Sequence, residues 1–579
     1  MDTEEILRLL EASEEEEEDE EEGDDWPTAS LEATELFPHG TIITETDTED
    51  ESQVDEVESS SDAPSTSTAH LDDLAVHPSP NHASNQRRVV NRSDLFHRDS
   101  HFRKMFPADT DEAAITEPTV VSPVEYFSGY ISEEIWNALT LETQKKHMSE
   151  TGNPLALTVE EMKTFIGITF VMSVLKYPRQ HMYWQKNFRI KLIADCMSRK
   201  KYELIRSNLR VVDNNLTTPA KKKMDKVWKI RPLLESVRGR CLELDRPCSV
   251  SVDEMMIPFT GRSKLKVFMP RKPTPNGLKM FALAAPDGMI LDLEFYQGKE
   301  ELIASVERTG LNLPHVEKMT LGEAGVLRFV KSVPQGTSFY FDRFFTTPRL
   351  LEIMDSLGMG ATGTLKKNLV PNLSSLKTEK QLKKGGRGTV DSLVRDDNAF
   401  SVTVWYDSKP IFIASNEHGI NPVSECKRWS KKDHKHVQVP RPRVVEAYNT
   451  NMGGVDVADQ VLFYYRSKSR TAKFSVRTIL HLFDLACGNS WLEYRHDCQK
   501  AGTKAMDSMM FKMQIAESLI SGQLSCQPDD ATDSESDEDH DRKRVLPLPS
   551  FPHRATHALH MPTSLPKYTE RRRSCFRLE

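Results

Sequence analysis

Two aspartates three residues apart, Asp456 and Asp459, follow a pair of glycines in the stretch NMGGVDVADQ at 451–460. On a helix that spacing puts both carboxylates on one side, and the glycines permit a tight turn or a close backbone approach just ahead of them. The positive end of a helix dipole favours acids in its first turn. The same ten residues also allow a plainer reading, with Asp456 as a helix N-cap and Asp459 as its capping partner. Two further acids move the balance toward chemistry. Asp253 lies in a strand-like run with Val252 and Met255 as apolar neighbours, and Asp342 ends the aromatic run SFYFD. A carboxylate at the end of a core strand is costly unless it is paired or bound to a metal. Three such groups converging from separate elements of an α/β core would make a two-metal site. That site could activate water or a 3′-hydroxyl and neutralise the leaving oxygen of a phosphodiester. Magnesium prefers hard oxygen ligands and keeps water in its shell. Two Mg²⁺ held by Asp253, Asp342 and Asp456 are therefore expected, with Mn²⁺ as a substitute.

Basic runs flank these acids. Arg262, Lys264, Lys266, Arg271 and Lys272 follow Asp253; Arg466, Lys468, Arg470, Lys473 and Arg477 follow Asp456, with Tyr464 and Tyr465 able to stack on a splayed base. Taken singly, each is a solvated charge. As two clusters beside candidate acids they read as contacts to a DNA backbone, giving affinity more than sequence choice. The net charge of −11 hides this, because acid is concentrated at the ends: residues 14–25 are acidic at every position but Gly23. Between Lys221 and Lys279 fifteen Lys or Arg stand against six Asp or Glu. A basic body with acidic ends points to a polyanion partner.

The elements that must position these residues follow from pattern. Residues 1–115 and 526–579 have too little apolar surface to offset the entropy of ordering and are expected to be disordered. Residues 116–249 read as mainly helical. Thr158 and Glu161 make a capping box ahead of Phe165, Ile166, Ile168 and Phe170, and Ser198 caps a helix whose stripe is Tyr202, Ile205 and Leu209. The pattern then changes to strands. One starts near Val250, two more are joined by a Pro-Asp-Gly turn at 286–288, and another ends at Asp342. A helix closed by Gly358 leads to the strand candidate GATGTL. Residues 368–432 read as an inserted β-rich module, and 433–525 as a lead-in, a glycine break and closing helices.

Eight cysteines are scattered without a CxxC pair, so neither a zinc site nor a disulfide scaffold is expected. The most apolar helix candidate, at 165–175, is too short to span a bilayer. With no apolar leader, an intracellular and reducing location without membrane contact is expected. Basic runs at 542–544 and 571–573 fit nuclear import. Ser534 and Ser536, set among acids, suit an acidophilic kinase as a partner.

Three blocks carry a family likeness: SVDEMMIPFTGRSKLKVFMPRKPTPNGLKM at 251–280, FDRFFTTPRLLEIMDSLGMGATGTLKKN at 341–368 and YNTNMGGVDVADQ at 448–460. They resemble the ordered blocks of piggyBac-type transposases and their domesticated relatives, over roughly residues 122 to 520. The resemblance implies an α/β, RNase H-like catalytic core over 250–367 and 433–525, with the insertion between its second and third acids. It also implies a helical dimerisation and DNA-binding domain at 116–249. On that pattern Asp253, Asp342 and Asp456 are the catalytic, metal-holding acids, 89 and 114 residues apart. Asp459 becomes an accessory ligand or brace. The implied reaction is cut-and-paste transposition by a dimer on double-stranded DNA: nicking at a transposon end, hairpin formation, reopening, and joining at TTAA. Members of the family commonly end in a cysteine-rich zinc module, whereas KYTERRRSCFRLE holds one cysteine. Three readings stay open: an active transposase or nuclease, a domesticated DNA- or chromatin-binding protein without transposition, and a protein-interaction scaffold.

Overall fold

The computed structural model describes residues 95–106, 119–214, 217–270, 275–430 and 434–521. The acidic leader up to 94 and the tail after 521, with Ser534 and Ser536, lie outside the described residues, as do Arg271 and Lys272. Residues 95–106, expected to belong to the leader, are structured instead. Phe96–His97 form a short strand β1, and Phe102 is buried. Phe96, Phe102 and Phe106 supply apolar surface in this stretch.

The helical segment runs through α1 (Pro123–Ser128), α2 (Glu133–Thr151), α3 (Val159–Val174), α4 (Arg199–Asn208) and α5 (Arg231–Glu243). Its start signals are those of the sequence. Thr158 Oγ1 accepts from the Glu161 amide at 3.2 Å while Glu161 Oε2 accepts from the Thr158 amide at 3.0 Å. Ser198 Oγ caps the Lys201 amide. Such a cap is worth about 1 kcal/mol. Helix α3 is buried on nearly every side, from Met162 to Val171. It lies among other elements rather than on the surface.

A ten-stranded mixed sheet follows. Its strands are β2 (Ser249–Pro258), β3 (Lys266–Phe268), β4 (Asn276–Ala284), β5 (Ile290–Phe295), β6 (Ser338–Phe341), β7 (Gly360–Thr364), β8 (Val390–Arg395), β9 (Ser401–Tyr406) and β10 (Pro410–Ser415), with β1 at one edge. In space β5 pairs with β4, then come β2, β6 and β7. Strands β2, β6 and β7 are mutually parallel, while β4 and β5 run antiparallel. This is an RNase H-like arrangement within an α/β fold. The β4–β5 connection turns at Gly288, where φ is +97°. Strand β10 pairs antiparallel with β7, and β9, β8 and β1 continue outward. The strands read as an insertion thus extend the main sheet. Only β11 (Ser424–Ser430) and β12 (Lys435–Arg441) form a separate hairpin.

Helices α6 (Lys299–Glu307), α7 (Leu321–Leu327) and α8 (Pro348–Ser356) flank the sheet. The chain then closes with α9 (Arg443–Asn451), α10 (Gly454–Tyr464), α11 (Phe474–Lys500) and α12 (Ser508–Ser521). The stretch read as a lead-in is therefore the helix α9, which buries Val444, Val445, Ala447 and Tyr448. One continuous apolar cluster joins the helical segment, the sheet and the closing helices. Among the described residues no helix is long and apolar enough to cross a membrane.

Candidate active site

Strands β2 and β6 pair with Ser251 opposite Tyr340 and Val252 opposite Phe341. Asp253 is the next residue of β2, and Asp342 is the first residue beyond β6. Adjacent strands stand about 4.8 Å apart and successive side chains alternate between faces, so Ser251, Asp253 and Tyr340 project from one face. Asp253 is 8% exposed, and its Oδ1 accepts the Glu254 amide at 2.7 Å. At Asp342 the chain turns. Its Oδ1 accepts the Phe344 amide at 2.8 Å, and its carbonyl accepts the Thr346 hydroxyl at 2.8 Å. This Asx-type turn replaces the ladder bonds lost where β6 ends. Gly363 on β7 makes room for it, since a Cβ there would stand 2.2 Å from Thr346 Oγ1.

Helix α10 begins on the same face. A Cβ on Gly454 would lie 2.3 Å from the Ala285 carbonyl oxygen and 2.6 Å from Ser251 Oγ. Only glycine lets the first turn sit this close to β2. The N-cap position is Gly453, which has no side chain to offer. The capping reading of Asp456 therefore fails: it is the third helical residue, exposed, in the first turn. The helix buries Gly454, Val455, Ala458 and Leu462. At 3.6 residues per turn, Asp459 flanks that stripe and is half-buried, whereas Asp456 lies farther round.

In kind, carboxylate donors suit a hard divalent cation. Among the described residues, no group of three or more acidic, histidine or cysteine side chains is placed to hold a metal ion. Asp253, Asp342 and Asp456 thus form no such group.

The two basic clusters, some two hundred residues apart in sequence, meet beyond the far end of β2. Arg477 Nε donates to the Pro258 carbonyl at 3.0 Å and its NH1 to the Ser467 carbonyl at 2.7 Å. A Cβ on Gly261 would stand 2.7 Å from the Ala472 carbonyl. Arg262, Lys264 and Lys266 are exposed on one loop and strand; Lys468, Arg470 and Lys473 are exposed on the other. Arg477 departs from the expected DNA contact. It is 6% exposed, and its guanidinium joins the two loops from beneath. Tyr464 is exposed, while Tyr465 and Arg466 are half-buried, with Arg466 lying 5.7 Å from the Phe463 ring centroid.

Sequence reasoning missed the groups that hold this loop. Asp484, 3% exposed, accepts from the Ser467 amide at 2.9 Å and hydroxyl at 2.8 Å, and from Lys512 Nζ at 2.8 Å. Lys512 also donates to the Tyr465 carbonyl at 2.7 Å. Lys176 Nζ donates to the Tyr464 carbonyl at 2.6 Å. The available signal was a lone Asp and a lone Lys in otherwise apolar helical stretches, where a buried charge requires a partner.

A family profile described as Transposase IS4 matches residues 122–491, well over half of the chain. The chain belongs to that transposase family, and within it to the piggyBac type. PiggyBac transposable element-derived protein 3 of Homo sapiens is 32% identical over 402 residues, covering 68% of this chain and 64% of that protein. PiggyBac transposable element-derived protein 2 of Homo sapiens is 30% identical over 405 residues, covering 68% and 65%. The chain thus spans just under two thirds of the length of these relatives. Its fold is similar to that in the cryo-EM structure of a piggyBac transposase synaptic complex with hairpin DNA. There the TM-score is 0.57 at 19% identity, over 71% of this chain and 82% of that one.

Proposed function

We propose that this chain is a metal-dependent cut-and-paste DNA transposase, acting as a dimer in the nucleus by nicking, hairpin formation and joining at TTAA. The observation that supports it is that β2, which carries Asp253, pairs in parallel with β6, which Asp342 follows, and that the first turn of α10 lands against Ser251 of β2. Asp253, Asp342 and Asp456 would hold magnesium, and Asp459 would serve as accessory ligand or brace. When bound, the metal would supply charge neutralisation at the attacking and leaving oxygens. The chain's own residues do the rest. Arg262, Lys264, Lys266, Lys468, Arg470 and Lys473 grip the DNA backbone on either side of the acids. Tyr464 offers a stacking surface for a displaced base. The bond broken is a phosphodiester at a transposon end, and the freed 3′-hydroxyl attacks the opposite strand.

The test is excision of a reporter bearing the chain's cognate ends, comparing the parent with Asp342→Asn. Excision by the parent and none by Asp342→Asn is the expected result. No excision by a folded, nuclear parent would remove this reading. A second reading, DNA or chromatin binding without strand transfer, is favoured by Asp456 being exposed and turned farther from the sheet than Asp459.

A further inference from the structure

The carbonyl oxygen of Ser207 receives two ammonium groups from distant parts of the chain. Lys146 Nζ on α2 donates to it at 2.6 Å, and Lys473 Nζ on the basic loop at 2.9 Å. Lys146 is 4% exposed, whereas Lys473 reaches solvent. Arg210 also faces Lys146, and Glu150 lies 4.0 Å away on the same helix with its side chain 55% exposed. Lys146 and Arg210 line a cavity of about 620 Å³ together with Glu142, Lys145 and Asp213. Its acids, Glu142 and Asp213, face Lys145 on the same cavity wall at 2.7 and 4.0 Å. Burial and the neighbouring Lys473 push the Lys146 amine down to about 7.

Two cations on one carbonyl repel each other, and more strongly where burial lowers the local dielectric. Each ammonium has three N–H donors and uses one on Ser207. A tetrahedral oxyanion accepting from both would relieve the repulsion and use the remaining donors. We propose that Lys146 and Lys473 form a phosphate-binding site at the junction of the helical segment and the basic loop. The ligand chemistry is a phosphate group, free or as a phosphodiester of a DNA backbone crossing the basic loops. The DNA source rests on the function proposed above; phosphate binding does not.

Because an adjacent anion restores the proton to Lys146, binding takes up a proton from neutral or mildly alkaline solution. Thermal unfolding of the full chain at about pH 8 in sodium phosphate, against sodium chloride at matched ionic strength, tests the site alone. The parent is expected to gain stability in phosphate; Lys146→Met and Lys473→Met are expected to gain none. Should Lys146→Met fold poorly, the exposed Lys473→Met carries the comparison. Calorimetric titration with a short DNA duplex, in buffers of different ionisation enthalpy, tests the DNA source. At about pH 8 the parent takes up most of one proton, while Lys146→Arg, charged throughout, takes up none. Lys473→Met binds the duplex roughly three- to tenfold more weakly, with a shallower salt slope. Phosphate stabilisation lost in both Met variants, with no duplex binding by the parent, would keep the site and remove DNA along with the proposed function. Equal phosphate and duplex responses in all variants, or proton uptake that persists in Lys146→Arg, would overturn the site.

Discussion

Lys279 Nζ donates to Glu254 Oε1 across two neighbouring strands at 2.9 Å, and both residues are 6% exposed. The pair lies behind Asp253, on the opposite face of β2. Its ammonium stands 4.6 Å from the Phe281 ring centroid and 4.8 Å from that of Phe344. Phe344 supplies the amide that holds the Asp342 carboxylate. The ion pair thus clamps the turn that aims one candidate catalytic acid.

Breaking that pair leaves a buried charge without its counter-ion. Glu254→Gln or Lys279→Met is expected to cost about 3–5 kcal/mol, whereas the double substitution Glu254→Leu with Lys279→Met should lie closer to the parent. Urea unfolding midpoints of the three variants check this; equal losses in the single and double variants would contradict it.

A methyl group at Gly454 has no room. Gly454→Ala is expected to lift the first turn of α10 off β2 and to cost about 1–3 kcal/mol. Strand cleavage should fall by more than the stability loss explains, because Asp456 and Asp459 move with the helix. Thermal unfolding and cleavage of a nicked duplex, run side by side, separate the two effects.

Asp253 on β2 and Asp342 just beyond β6 are acids on neighbouring parallel strands. Neutralising one relieves repulsion, so Asp342→Asn should unfold no more easily than the parent in chelator. In magnesium the parent should gain stability by mass action and Asp342→Asn should gain little. Cleavage by Asp342→Asn is expected to fall by more than about a hundredfold. A magnesium gain equal in both proteins would argue against a metal at these acids.

Arg477 separates a clamp from a contact. A phosphate contact tolerates Lys in part, but the paired bonds to the Pro258 and Ser467 carbonyls need the guanidinium fork. Arg477→Lys is therefore expected to destabilise nearly as much as Arg477→Met, by about 2–4 kcal/mol. Denaturant unfolding of both variants provides the check.

His418 gives the fold an acid-sensitive point. Burial, with Arg443 and Arg103 nearby, lowers its imidazole to about 4. Its Nε2 lies 3.3 Å from the Tyr340 hydroxyl and 3.6 Å from Glu417. In the unfolded chain the ring takes a proton near pH 6.5, before the folded state does. Stability is thus intact above about pH 6.5 and lost as pH falls toward 4, by up to roughly 3 kcal/mol. His418→Gln should flatten that part of the profile, read as denaturation midpoints across the same range.

Much of the frame was legible in sequence because it is local. The Thr158 box, the Ser198 cap, the Pro286–Gly288 turn and Asp342 at a strand end each follow from neighbours in the chain. What escaped notice depends on distant pairing. Helix α9 opens with Arg443 and two valines, a poor helical start by propensity, and forms because Val444 and Val445 pack against the sheet beside Trp405. Nothing in the 390–415 stretch announces that its strands join β7, since that edge is set by residues 360–364. Arg477 looks like the other basic residues of its run until the two carbonyls beneath it are known. Lys146 is one of two adjacent lysines on α2, and the Ser207 carbonyl brings it to Lys473.

Strand β10 is laced along β7, and β9 and β8 continue outward, so the segment between the second and third acids is the outer flank of the sheet itself. Chemistry and architecture are thereby uncoupled. On the proposed function, a change at Asp253 or Asp342 would silence the protein without removing any strand, but trimming the flank would bare an unpaired border on β7 and invite strand exchange between molecules. Chains of this design can shed catalysis one side chain at a time while solubility holds them near their full span.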